Sequence, residues 1–256
     1  MDKAARCLGL SYPGGVNLDK TATVADTDKY PLPHPHVSTG EFDFKPGAVF
    51  CNLFLADEIN RTSSKTQSAL LEAMEEGAVT VDSVTRKLPD PFIVLATQNP
   101  SGSAGTQLLP ESQLDRFMIR LSMGYPTVGE ETEILKAKSS KKAAPRVEPI
   151  MTAQDLIEIR SAAEDIFVSD EIYDYIARLS GATRSDRRLE LGVSTRGSLA
   201  AAAMAKCAAM FKGRNFVIPE DVTFVYTDVC AHRIIPARVK GKLPSDIEVR
   251  EILCDI

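Results

Sequence analysis

The stretch from Asn52 to Arg61, NLFLADEINR, constrains the fold most, because a short apolar run in it ends on two adjacent carboxylates. Asn52 to Ala56 is too short and too continuously apolar for an amphipathic helix. It reads as a strand buried on both faces of a parallel sheet. Asp57 and Glu58 then stand at its carboxyl end, where open α/β sheets bind ligands. Neighbouring like charges disfavour each other's ionised form unless a cation or a water is held between them. A hydrated Mg²⁺ on a nucleotide phosphate is the natural occupant, with one carboxylate holding the metal's water shell and the other polarising an attacking water. Taken alone, the same two acids also read as the first turn of a helix, favoured there by its dipole.

The neighbouring segments favour the sheet. KTQSALLEAMEEG places Leu70, Leu71 and Met74 at helical spacing and stops on Gly77. Val79 to Val81 and Thr85 to Leu88 form two β-type runs joined through Asp82 and Ser83 like a hairpin. A second buried strand, Phe92 to Thr97, ends in Gln98-Asn99-Pro100. LLPESQLDRFMIRL then predicts a helix closing on Asp115-Arg116-Phe117 and a third strand from Met118 to Met123.

FKPGAVFCNLFLADEINRTSSKTQSALLEAMEEGAVTV, PFIVLATQNP and LLPESQLDRFMIRLSMGYP together resemble the MoxR family of AAA+ ATPases, from about Thr39 to the C-terminus. The resemblance implies ATP and Mg²⁺ as cofactors, a ring of neighbouring AAA+ subunits that is hexameric when complete, and client proteins that are remodelled in the cytoplasm. It implies roles residue by residue. Asp57 matches the Walker B acid that holds Mg²⁺ through water, Glu58 the catalytic glutamate, and Asn99 the sensor that orients the water. Arg116 matches the arginine finger that reaches a neighbour's γ-phosphate. Arg196, in GVSTRGSLAAAAMAKCAAM, matches the lid sensor that contacts its own subunit's nucleotide. An arginine supplied in trans is worth about 10³ to 10⁵ in rate. Without the resemblance, Arg116 reads as a surface partner of Asp115 and Asn99 as a turn residue before Pro100. Arg196 would be an odd cation at a helix start, where the dipole disfavours it.

The first residues tell a different story. MDKAARCLGLSYPGG followed by the proline-spaced KYPLPHPH resembles the tRNA threonylcarbamoyladenosine transferases over about Met1 to Val37, and by that resemblance Asp2 and Gly15 fall where the family contacts its substrate. His34 and His36 do not match that family's metal ligands and read as an accident of composition. A chain that begins in one family's motif and continues in another's reads as a fusion, joined near Ser38 to Gly40. No G-x-x-x-x-G-K-[ST] string occurs in the sequence, so the loop that cradles phosphates is lacking. The chain alone is therefore expected to be inactive, with an exposed sheet edge.

The expected architecture is α/β: a partial AAA+ P-loop NTPase-type parallel sheet with helices, followed by an all-α lid. Its parts are an N-terminal fragment at 1–38, a truncated core at 39–127, a linker at 128–148 and a lid at 149–256. From Thr152 the chain reads as helical throughout. Thr152, Ser169 and Ser194 or Thr195 cap successive helices, Pro219 opens another, and His232 reads as a cation at that helix's C-terminus. A net charge of −5 shows no broad basic surface for nucleic acid. Five scattered cysteines without metal-ligand spacing read as reduced thiols. No apolar run reaches the ~18 residues of a membrane span. Two other readings stay open: a remnant of the tRNA-modifying transferase, and a non-catalytic fragment that docks into rings of intact subunits.

Overall fold

The computed structural model describes residues 16–17, 46–81, 83–98, 109–122, 124–139, 149–237 and 246–256. Strand β1 (Val16–Asn17) pairs in parallel with β2 (Leu53–Asp57), Val16 opposite Ala56 and Asn17 opposite Asp57. Leu53, Phe54 and Ala56 are buried, as a continuous apolar run requires of a strand covered on both faces. Helix α1 (Ser64–Glu76) follows. The Ser63 hydroxyl accepts from the Thr66 N–H at its start, and Gly77, at φ 59°, ends it. Strands β3 (Ala78–Val81) and β4 (Val84–Lys87) form the expected hairpin, and β5 (Ile93–Ala96) lies parallel to β2 from Leu53 opposite Ile93 to Ala56 opposite Ala96. The parallel sheet thus has the order β1, β2, β5. Its central strand is the one that carries Asp57, and a two-residue strand from the N-terminal stretch lies on one flank.

The core beneath this sheet gathers Val49, Phe54, Ala56, Ile59, Leu70 and Ala73. A single turn, α2 (Glu111–Leu114), leads into Asp115-Arg116-Phe117. The strand expected from Met118 to Met123 does not form over its described residues, 118–122. Met118 and Leu121 are exposed there, and the Arg120 N–H donates to Asp228 O at 3.1 Å instead of to a strand. An apolar run becomes a strand only when another backbone pairs with it. The stretch expected as a linker contains α3 (Val128–Ser139), exposed along residues 128–137.

The C-terminal half is built from α4 (Ala153–Glu164), α5 (Asp170–Ser185), β6 (Leu189–Leu191), α6 (Thr195–Phe211), α7 (Pro219–Cys230), β7 (Ile235–Pro236) and α8 (Asp246–Asp255). Thr152 and Asp155 form the expected reciprocal cap, and Ser194 caps α6. Ala201, Ala205 and Ala209 of α6 are fully buried against Val222 and Val229 of α7, so small side chains let the two helices approach closely. The expectation of a wholly helical lid is corrected by β6 and β7, which pair antiparallel. Leucine and proline at these ends give no periodic signal, and the pairing is set by the turn after α5 and the close of α7. Among the described residues no helix is long and apolar enough to cross a membrane. Cys51, Cys207, Cys230 and Cys254 are free thiols.

Candidate active site

β2 delivers Asp57 to the exposed rim of the sheet, and the chain then turns sharply. Glu58 takes the left-handed conformation, φ 48° and ψ 49°, before a single 3-10 turn at Ile59–Arg61. A side chain there costs on the order of 1 kcal/mol and persists only where the surroundings hold it. Those surroundings are visible. The Glu58 N–H donates to Thr97 Oγ1 at 2.8 Å, Ile59 N–H to Thr97 O at 3.1 Å, and Ile59 is fully buried. The Thr97 hydroxyl in turn donates to Asp57 Oδ1 at 2.6 Å. One residue at the end of β5 therefore fixes both acids. Arg61 donates from Nη1 to Glu58 Oε2 at 2.8 Å, so the carboxylate of Glu58 rests on a neighbour in its own turn. Gln67 Nε2 donates to Ile59 O at 3.2 Å and anchors that turn to α1.

The donor set suits a hydrated Mg²⁺. The two carboxylates and the Thr97 hydroxyl are hard oxygens, and Asp57 is exposed, leaving room for water between it and a metal. Among the described residues no three His, Cys, Asp or Glu side chains converge on a metal, so a protein cage is not offered. Mg²⁺ is ordinarily held by one or two carboxylates plus substrate phosphates, which this arrangement matches.

The two arginines form a second centre. Arg116 Nη1 lies 2.8 Å from Glu75 Oε2 and Arg196 Nη2 lies 2.6 Å from Glu75 Oε1, so one carboxylate near the end of α1 holds both. Asp115, read from sequence as the partner of Arg116, is engaged elsewhere. Its carboxylate accepts from Arg233 Nη1 at 2.6 Å and from Ser194 Oγ at 2.9 Å and 3.0 Å, and Arg196 Nη1 approaches it at 3.9 Å. Arg233 also donates to the backbone carbonyl of Asp115 and, from Nη2, to Phe117 O at 2.6 Å. A groove of about 1180 Å³ opens beside this centre, lined by Leu71, Met74, Glu75, Phe92 and Arg116, while Asp57 and Glu58 lie outside it.

His232 corrects its sequence reading. It is 5 % exposed, and its Nε2 meets Phe117 O at 3.0 Å. Burial pushes its pKa down to about 4, more than the Phe117 carbonyl raises it, and the cations Arg233 and Arg120 push the same way. The ring is neutral, with Nε2 donating, and is no helix-end cation.

Asp57 and Glu58 are thus brought together with Thr97, and Arg116 with Arg196. Asn99, Asp2, Gly15, His34 and His36 lie outside the described residues. Thr97, Glu75 and Arg233 were not read from sequence as site residues. Thr97 was in view as the residue before Gln98, whereas Arg233 lies 118 residues from Asp115 and carries no local signal.

Residues 21–119 match the model for the ATPase family associated with various cellular activities (AAA), and residues 181–252 match the AAA lid domain. The first match begins upstream of the join expected at Ser38 to Gly40. The uncharacterised protein YeaC of Bacillus subtilis is 42 % identical over 221 residues, 85 % of this chain and 69 % of YeaC. Chaperone MoxR1 of Mycobacterium tuberculosis is 40 % identical over 76 % of this chain, which spans 54 % of that protein. A crystal structure of a candidate ATPase from Cytophaga hutchinsonii superposes with a TM-score of 0.86 at 32 % identity, over 99 % of this chain and 79 % of that one. A tRNA N6-adenosine threonylcarbamoyltransferase from Thiobacillus denitrificans matches only in part, 46 % identical over 43 residues and 13 % of its length.

Proposed function

We propose a function from one premise, that this chain belongs to the AAA ATPases of the MoxR type: it takes part in ATP hydrolysis that remodels partner proteins. The observation that carries the reading is the pair Asp57 and Glu58 at the carboxyl end of the central parallel strand, both held by Thr97. Asp57 would hold Mg²⁺ through its water shell, and the metal would supply neutralisation of phosphate charge. Glu58, once free of Arg61, accepts a proton from the water that attacks the γ-phosphate, and Asn99 orients that water. Arg116 and Arg196 are presented together on Glu75. We read Arg116 as reaching the γ-phosphate of a neighbouring subunit's nucleotide in a ring, and Arg196 as contacting the nucleotide of its own subunit. The name of MoxR1 as a chaperone supports client proteins as the substrate of remodelling.

The sequence holds no G-x-x-x-x-G-K-[ST] string. Without that string we read this chain alone as inactive and as acting beside intact subunits, to which it would supply Arg116. The transferase-like stretch lies almost wholly outside the described residues, and no function is built on it.

Two titrations test this. In calorimetry of the purified chain with Mg·ATP, binding is expected to be weak and to weaken further in Asp57→Ala. Tight binding abolished by Asp57→Ala would mean that another segment cradles the phosphates. When the chain is added to an intact MoxR-type ATPase, the hydrolysis rate is expected to change in wild type and not in Arg116→Ala. An unchanged rate with both chains would sink the ring reading.

A further inference from the structure

Glu75 stands at the wrong end of its helix. It lies in the last turn of α1, next to Glu76, where the dipole is negative and no basic residue of that turn offsets it. The cations come instead from far along the chain, Arg116 and Arg196, each within 2.8 Å of one of its oxygens. The charges do not balance, because two guanidinium groups share one carboxylate. Asp115 is 3.9 Å from Arg196 and already serves Arg233 and Ser194. Donors are left over: Arg116 Nε is buried and meets no acceptor among the described residues, beside the groove that Arg116 and Glu75 both line. Two arginines with a surplus charge and a spare N–H form a receptor for an anion with several acceptor oxygens, and phosphate fits that fork geometry better than a single carboxylate.

We infer that Glu75 is a built-in competitor for phosphate: its carboxylate holds Arg116 and Arg196 together in the subunit at rest and is displaced when phosphate takes the arginines. Glu75 is a positioning residue, since it acts through the arginines and not on the reacting atoms. The inference rests on the reading of Arg116 and Arg196 as phosphate contacts. The physical cause of the exchange is repulsion. A carboxylate cannot remain between two guanidiniums that also hold a multiply charged phosphate, so binding must either expel Glu75 or be weakened by it.

The probe is sodium tripolyphosphate, titrated calorimetrically into the full chain at fixed ionic strength. Glu72 provides the control, because it is an exposed acid on the same helix that lines the same groove, and Glu72→Gln removes an equal charge. Glu75→Gln is expected to tighten tripolyphosphate binding about threefold to tenfold beyond Glu72→Gln, the range of one charge-assisted hydrogen-bond pair in a half-exposed site. Arg116→Ala and Arg196→Ala are each expected to weaken it several-fold. Glu75→Asp keeps the charge with a shorter reach and is expected to fall between wild type and Glu75→Gln, which keeps the test open if Glu75→Gln folds poorly. Equal affinities for Glu75→Gln and Glu72→Gln, or weaker binding by both Glu75 variants, would overturn the inference while leaving the arginines as phosphate contacts. Arginine variants that bind as wild type does, or no binding by any variant, would overturn both readings.

Discussion

His232 keeps its ring neutral because it is buried between two arginines and a carbonyl, with Nδ1 meeting no partner among the described residues. Its pKa is about 4 in the folded chain against about 6.5 for an ordinary histidine. Between those values the unfolded chain binds a proton that the folded chain refuses, so stability falls as pH drops from about 6.5 towards 4. By pH 5 the loss from this one residue is about 2 kcal/mol. Urea unfolding at pH 7.5 and pH 5 measures it, and His232→Gln is expected to flatten that part of the slope. An identical pH dependence in the variant would show that the ring is not held neutral. The same residue shows why sequence misread it. Its place just past α7 suggests a cation interacting with the helix dipole, but Phe117 and Arg233, which decide its charge, arrive through tertiary packing.

Helix α1 was legible to within a residue or two, since its apolar face and its glycine stop are local signals, while its Ser63 cap was not read. Gly77 sits at φ 59° and donates its N–H to Ala73 O at 3.0 Å, and its carbonyl accepts from Leu88 N–H. A Cβ at Gly77 would meet nothing within 4 Å, so Gly77→Ala isolates the cost of the backbone conformation. The variant is expected to lose about 1 kcal/mol in chemical unfolding with the hairpin retained. A neutral or stabilising effect would contradict that account. The strand β2 was equally readable, because burial on both faces demands an unbroken apolar run; β5 forms where its apolar run lies, but the expected burial is corrected, since the strand is only half-buried and Leu95 is 41 % exposed. What failed were elements defined by partners. Residues 118–122 look like a strand and find no strand to pair with, while Leu189–Leu191 and Ile235–Pro236 show no pattern and pair. At the candidate site, Asp57 and Glu58 follow from a strand end and two letters. Their dependence on Thr97, and that of both arginines on Glu75, are contacts across 39 to 121 residues that no local pattern encodes.

Across the whole molecule the apolar surface is unevenly covered. Tyr125 is fully exposed, Val128 is 84 % and Leu135 64 % exposed, and Ile150 stands open at the entrance to the lid. A run of large apolar side chains of this kind marks an association surface or an aggregation liability. The chain is expected to self-associate at micromolar concentration by static light scattering, and Val128→Glu with Leu135→Glu to lower the apparent mass. A monodisperse monomer in both cases would contradict this. Elsewhere the two halves are joined firmly: Leu53 packs with Leu156, Arg160 pairs with Asp90 at 3.1 Å, and Arg233, 1 % exposed, is sunk between Asp115 and Phe117. That last guanidinium acts mechanically as a rivet. Its donors grip the chain on either side of Arg116, at Asp115 and Phe117, so the position of Arg116 is tied to the end of α7. The end of α7 and the segment that carries Arg116 are fastened as one piece across the two halves of the chain.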